Sequence, residues 1–168
     1  MKKLSRDELL LLVITATFTL ASGMATVFMN VYLYNFTESL VGMTTFTMFR
    51  IGMFPIMFIL NGKLFKKTKL GYPLAAGLCM MTLSYVILLN MQNAIAANPI
   101  LIYLIAVIFG AGEASYYFTI NNLNQLATTM ESRSTYVPLS GTLAAMANII
   151  APFVSTLLIS YSVTDIDG

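Results

Sequence analysis

The chain has 168 residues, 58% of them hydrophobic and only 10% charged, with a mean hydropathy of +0.80. Soluble domains carry about a quarter charged residues, so a water-exposed globule cannot hide this much apolar surface. A formal charge of +2 is too small to argue for nucleic acid, and the absence of histidine removes the commonest general base, a common metal ligand and every His-dependent triad.

Taken in order, the first apolar run covers about Leu9–Tyr34. Met1-Lys2-Lys3 followed by Leu9–Val13 imitates a secretory signal, but Asp7 and Glu8 interrupt its basic region. The run also continues past Gly23, long enough to span a bilayer, so it is expected to be retained as a helix. Thr15, Thr19, Ser22, Thr26 and Asn30 recur at steps of three or four along one face. Such a stripe serves either hydrogen bonding between helices or the wall of a water-filled cavity. The second run, about Leu40–Leu60, carries Arg50 at its middle. The third, about Leu70–Leu89, has only Cys79, Thr82 and Ser84 as interior polar groups and is expected to be the most lipid-exposed; Cys79 reads as apolar filler.

The fourth run, about Pro99–Asn121, places Gly110, Glu113, Tyr117, Asn121 and Asn124 at helical spacing, the most polar stripe in the chain. The fifth, about Val137–Tyr161, carries a ridge of small residues through Gly141, Ala144, Asn148, Ala151 and Ser155, and Pro152 interrupts its hydrogen bonding. Close helix packing is the default meaning of that ridge, and a hinge at Pro152 the sharper one. The predicted fold is therefore all-α: one polytopic bundle of five transmembrane helices over residues 1–168, with the lipid bilayer as its first partner.

Cations set the orientation, because Lys and Arg near helix ends stay on the cytoplasmic side. Lys2, Lys3 and Arg6 precede the first run, Lys63, Lys66, Lys67 and Lys69 separate the second from the third, and Arg133 separates the fourth from the fifth. The opposite loops, Asn35–Ser39 and Met91–Asn98, contain no Lys or Arg. An inside N-terminus and an outside C-terminus follow, with the cell membrane as the expected location.

Arg50 and Glu113 are formal charges deep within apolar runs, where an unpaired charge costs about 2.5–3.5 kcal/mol or more. Each lies about a dozen residues from the cytoplasmic end of its run, roughly 18 Å deep at about 1.5 Å per residue. They can meet at the midplane, either as a salt bridge that fixes two helices together or as a site where Glu113 titrates and Arg50 tunes it.

These features together resemble the N-terminal half of a major facilitator superfamily transporter, across essentially the whole chain. Gly110-Ala111-Gly112-Glu113-Ala114 is similar to the glycine core of that family's fourth-helix motif, with Ala106 where the family has arginine. Ala147-x-x-x-Ala151-Pro152 resembles its fifth-helix Gly-x-x-x-Gly-Pro motif, with alanine for glycine. In the loop between the second and third helices, Gly62 and Lys67 fit the family's Gly-x-x-x-Asp-Arg-x-Gly-Arg pattern, whereas Lys66 and Lys69 depart from it. The resemblance implies a cavity lined by the first and fourth helices, here through Thr19, Ser22, Thr26, Asn30, Tyr117 and Asn121. It also implies a peripheral third helix and packing or hinge roles for Gly110, Gly112, Ala147, Ala151 and Pro152.

That family has two six-helix halves with substrate between them near the midplane. The chain then reads as a fragment lacking the sixth helix and the C-terminal bundle, its partner being that missing bundle or, as the lesser alternative, a second copy. The expected function is secondary active transport of a small molecule by alternating access, proton-coupled through Glu113. The alternative is a small membrane solute-binding subunit working with a separate energising module. An intramembrane enzyme is the weakest reading, since no His-containing metal motif, paired acids or Gly-rich phosphate loop is present. No cofactor, metal or nucleic-acid partner is expected.

Overall fold

The computed structural model describes residues 4–64, 69–98 and 100–164. It is helical throughout, in the order α1 (Arg6–Thr37), α2 (Leu40–Leu64), α3 (Gly71–Asn90), α4 (Gln92–Ala97), α5 (Ile100–Ala127) and α6 (Met130–Thr164). All but the short α4 are long and apolar enough to cross a membrane. Helices satisfy their backbone groups internally, which is what a segment surrounded by hydrocarbon requires.

The helices run further than hydrophobicity alone predicts, and capping explains the earlier starts of α1 and α6. Before α1, the Ser5 N–H donates to Glu8 Oε2 at 2.7 Å while the Glu8 N–H donates to Ser5 Oγ at 3.2 Å, a reciprocal capping box. Glu8, read in the sequence as a break in a basic region, is thus part of the helix start. Thr129 and Ser132 repeat the arrangement before α6: Thr129 N–H donates to Ser132 Oγ at 3.0 Å and Ser132 N–H to Thr129 Oγ1 at 3.2 Å. The last helix therefore begins at Met130 rather than Val137, and Arg133 lies within it rather than in a loop. Its Nε donates to Thr128 Oγ1 at 3.1 Å.

The chain divides into two compact units, Leu33–Leu123, and Met1–Tyr32 with Asn124–Gly168. In the second of these, α1 and α6 approach closely where Gly23 faces Ala151. A Cβ on Gly23 would lie 2.8 Å from that of Ala151, and the Ser155 hydroxyl donates to the Met24 carbonyl at 3.5 Å. Ala151 and Ser155 are the buried part of the small-residue ridge, and Ala147, one turn before Ala151, is buried as well. Gly141, by contrast, has nothing within 4 Å of a Cβ position. Pro152 stays exposed within α6, where its missing N–H leaves the Asn148 carbonyl without its helical donor.

In unit Leu33–Leu123, α5 is the central helix. Buried residues make up 61% of its most apolar window, against 28% for α3 and 6% for α2. The expectation that α3 is the most lipid-exposed helix is therefore corrected: it is the second most buried, and α2 the least. The reason is a glycine that composition does not flag. A Cβ on Gly77 would lie 2.6 Å from the Gly112 carbonyl oxygen, and one on Gly112 would lie 2.6 Å from the Gly77 carbonyl oxygen. Backbone meets backbone there, a spacing only residues without side chains allow. Cys79 is exposed rather than packed as filler.

Candidate functional site: a paired charge at a helix crossing

The site is built on α2 and α5 within one compact unit. Gly110 packs directly on the backbone of Arg50, so that a methyl there would collide with the Arg50 carbonyl. Gly112 faces the opposite way, onto α3, because two helical residues are separated by roughly 200°. The Gly-Ala-Gly run thus serves two crossings at one height. One turn beyond Gly110, Glu113 faces Arg50.

There the guanidinium grips the carboxylate with two bonds. Arg50 Nε donates to Glu113 Oε2 at 2.7 Å, and a terminal Arg50 nitrogen donates to Oε1, also at 2.7 Å. Bidentate charge-assisted bonds of this length are the strong kind, and Arg supplies them because its planar fork matches a carboxylate. Phe109 lies under the guanidinium, with Cζ 4.8 Å from its ring centroid. The Tyr85 ring meets Phe109 edge-on at 5.1 Å. Glu113 is the better shielded member, at 7% side-chain exposure against 17% for Arg50.

Further residues extend the site along α2 and α5. The Phe54 ring lies 5.9 Å from that of Tyr117, which in turn meets Tyr116 edge-on at 5.5 Å. Asn61, buried near the end of α2, donates through Nδ2 to Ser115 Oγ at 3.0 Å, and that hydroxyl donates to the Ala111 carbonyl at 2.8 Å. Phe109, Tyr85, Asn61 and Ser115 were not singled out in the sequence. Only Asn61, a carboxamide ending an apolar run, carried a signal that could have been read.

The remaining predicted residues fall as follows. Gly62 lies near the end of α2, with Phe118 about a van der Waals contact away from a Cβ position; Lys67 lies outside the described residues. Tyr117 and Asn121 are exposed, one and two turns from the buried Glu113. On α1 the Thr19 hydroxyl donates to the Thr15 carbonyl at 2.8 Å and the Thr26 hydroxyl to the Ser22 carbonyl at 2.7 Å. Both donors are thus spent within their own helix rather than between helices. Ser22 is half-buried and Asn30 exposed.

Two bacterial proteins are similar to the chain. It is 27% identical over 156 residues to "Uncharacterized protein YqgE" of Bacillus subtilis (strain 168), an alignment covering 93% of this chain and 36% of that one. It is also 27% identical over 159 residues to "Uncharacterized protein in sodM 3'region" of Geobacillus stearothermophilus, covering 95% and 73% respectively. The chain thus spans about a third of the length of the first relative and about three quarters of the second. No family model matches it, and no solved structure does.

Proposed function

We propose that the chain forms part of a secondary active transporter of a small molecule, proton-coupled through Glu113, in the manner of the N-terminal half of a major facilitator superfamily protein. The observation that carries this reading is the Arg50–Glu113 pair, set between two helices of membrane-spanning length. Replacing such a pair by apolar residues is often neutral or stabilising, so a buried ion pair is a poor device for stability alone. Ionisable groups within membrane spans mark substrate and proton pathways.

The Bacillus relative supports the same picture. Its 156 aligned residues are 36% of its length, which makes it about 430 residues long, with room for a second bundle. The loop charges favour an inside N-terminus and a place in the cell membrane. Alternating access would then require a second bundle facing this one, with the solute between them.

The test is reconstitution of the protein as expressed from its own gene into liposomes holding a pH-sensitive dye. A panel of anionic, neutral and cationic solutes is applied to wild type and Glu113→Gln. Solute-driven proton movement in wild type and its loss in Glu113→Gln are expected. Equal proton movement in both, or none with any solute, overturns the reading.

A further inference from the structure

We infer that the solute recognised at this site is a small organic monocarboxylate, which takes the place of Glu113 on the Arg50 fork while Glu113 withdraws as the neutral acid. The inference rests on the transport reading and names its substrate class.

The argument begins with a count of donors. A guanidinium has five N–H groups and no acceptor. Two of the five go to Glu113. Among the described residues no acceptor takes the other three. One flat face is covered by Phe109, and the carboxylate is more enclosed than the guanidinium. What the pair presents to an incoming molecule is therefore donors and positive charge. A cation would meet the wrong member of the pair, and a neutral solute could bond to the free donors without displacing Glu113.

Charge conservation narrows the choice. The pair is neutral overall, and charge in a bilayer interior must be compensated. If a monocarboxylate anion enters and one proton from the aqueous phase settles on a Glu113 oxygen, the site holds one guanidinium, one carboxylate and one neutral acid, again neutral. Only an O–H bond forms, and each oxygen lost by the fork is replaced by an equivalent one. A dianion such as sulfate would leave a net negative charge. Geometry agrees, since the two 2.7 Å bonds to Glu113 show that the fork accepts a carboxylate in this position.

Among the described residues, Arg50 from α2, Tyr85 from α3 and Tyr117 from its own helix lie within electrostatic reach of Glu113. Arginine stays protonated and phenols are neutral at physiological pH. Tyr117 and Phe54 offer aromatic surface one turn from Glu113 and Arg50 respectively, suited to the apolar body of such a solute.

The experiment uses the same full protein in lipid nanodiscs, with acetate, butyrate and benzoate as probes and benzamide as the uncharged control. Infrared difference spectra on adding carboxylate should show a new carboxylic-acid carbonyl band, absent in Glu113→Gln. Affinity in wild type should weaken as pH rises, by about tenfold per pH unit wherever binding takes up one proton, and should be independent of pH in Glu113→Gln, which still binds. Arg50→Gln alone would leave an unpaired buried carboxylate and risk misfolding. The neutral pair Arg50→Gln with Glu113→Gln avoids that and should bind none of the carboxylates. Absence of the acid band at saturation, pH-independent affinity in wild type, equal binding of benzamide, or no binding of any carboxylate each overturns the inference. If neutral or cationic solutes drive Glu113-dependent proton movement while carboxylates do not, the transport reading stands and this inference falls. If Glu113→Gln moves protons like wild type with every solute, both fall.

Discussion

Substituting Gly110 by alanine tests whether the helix crossing holds the charge pair. The added methyl would lie 2.8 Å from both C and Cα of Arg50, against 3.4 Å for ordinary contact, and nearer still to the carbonyl oxygen. All three atoms are backbone, so no rotamer change relieves the clash, and α2 and α5 must part by about 1 Å. Overpacking of this kind costs about 1–3 kcal/mol. Parting the helices also strains the 2.7 Å fork, and losing one charge-assisted arm costs about 1.5–3 kcal/mol. Alanine returns about 1 kcal/mol through helix propensity. The expected net loss is about 1.5–5 kcal/mol. Gly52→Ala on α2 is the control, because nothing lies within 4 Å of its Cβ position; it should be neutral or stabilising by up to about 1 kcal/mol. Unfolding in mixed detergent micelles, followed by helical circular dichroism, measures both. A Gly110→Ala variant within about 0.5 kcal/mol of wild type, the scatter of harmless surface changes, would refute the crossing argument.

Gly77→Ala and Gly112→Ala should each cost about 1–3 kcal/mol, and the double variant less than their sum, because the first methyl opens the gap that the second occupies; a double-mutant cycle reads this directly. Glu38 holds φ at 48° in the turn between α1 and α2, so Glu38→Gly should stabilise by about 1 kcal/mol, seen as a raised Tm. Thr129→Ala removes one half of the α6 cap and should cost about 1 kcal/mol, with faster hydrogen exchange confined to residues 130–137.

The five long apolar helices were legible because a run of apolar residues announces itself whatever it packs against. Their ends were not, since Thr129 and Ser132 carry no apolar signal and Val137 was the first residue of the hydrophobic run that did. Arg50 and Glu113 could be set at one depth by counting along two runs, and they do meet. The burial of α3 is not legible from polarity, because Gly77, which decides it, has no polarity to read. The polar stripe on the fourth run was legible as spacing only. Its members part company in the fold, Glu113 buried against α2 while Tyr117 and Asn121 are exposed. On α1 the threonines looked like groups in search of partners, yet Thr19 and Thr26 donate to the turn before them.

The two glycine crossings on α5 also have a mechanical meaning. Gly110 pins α2 and Gly112 pins α3, on opposite flanks and only two residues apart, so both neighbours bear on nearly a single fulcrum. From that point to Leu64 at the far end of α2 the arm is about 20 Å, at about 1.5 Å per residue. A rotation of about 10° about the fulcrum sweeps the tip through roughly 3–4 Å while the atoms at the pivot scarcely move. Any rotation about it would be geared: small where the charges are held, large at the ends of the levers.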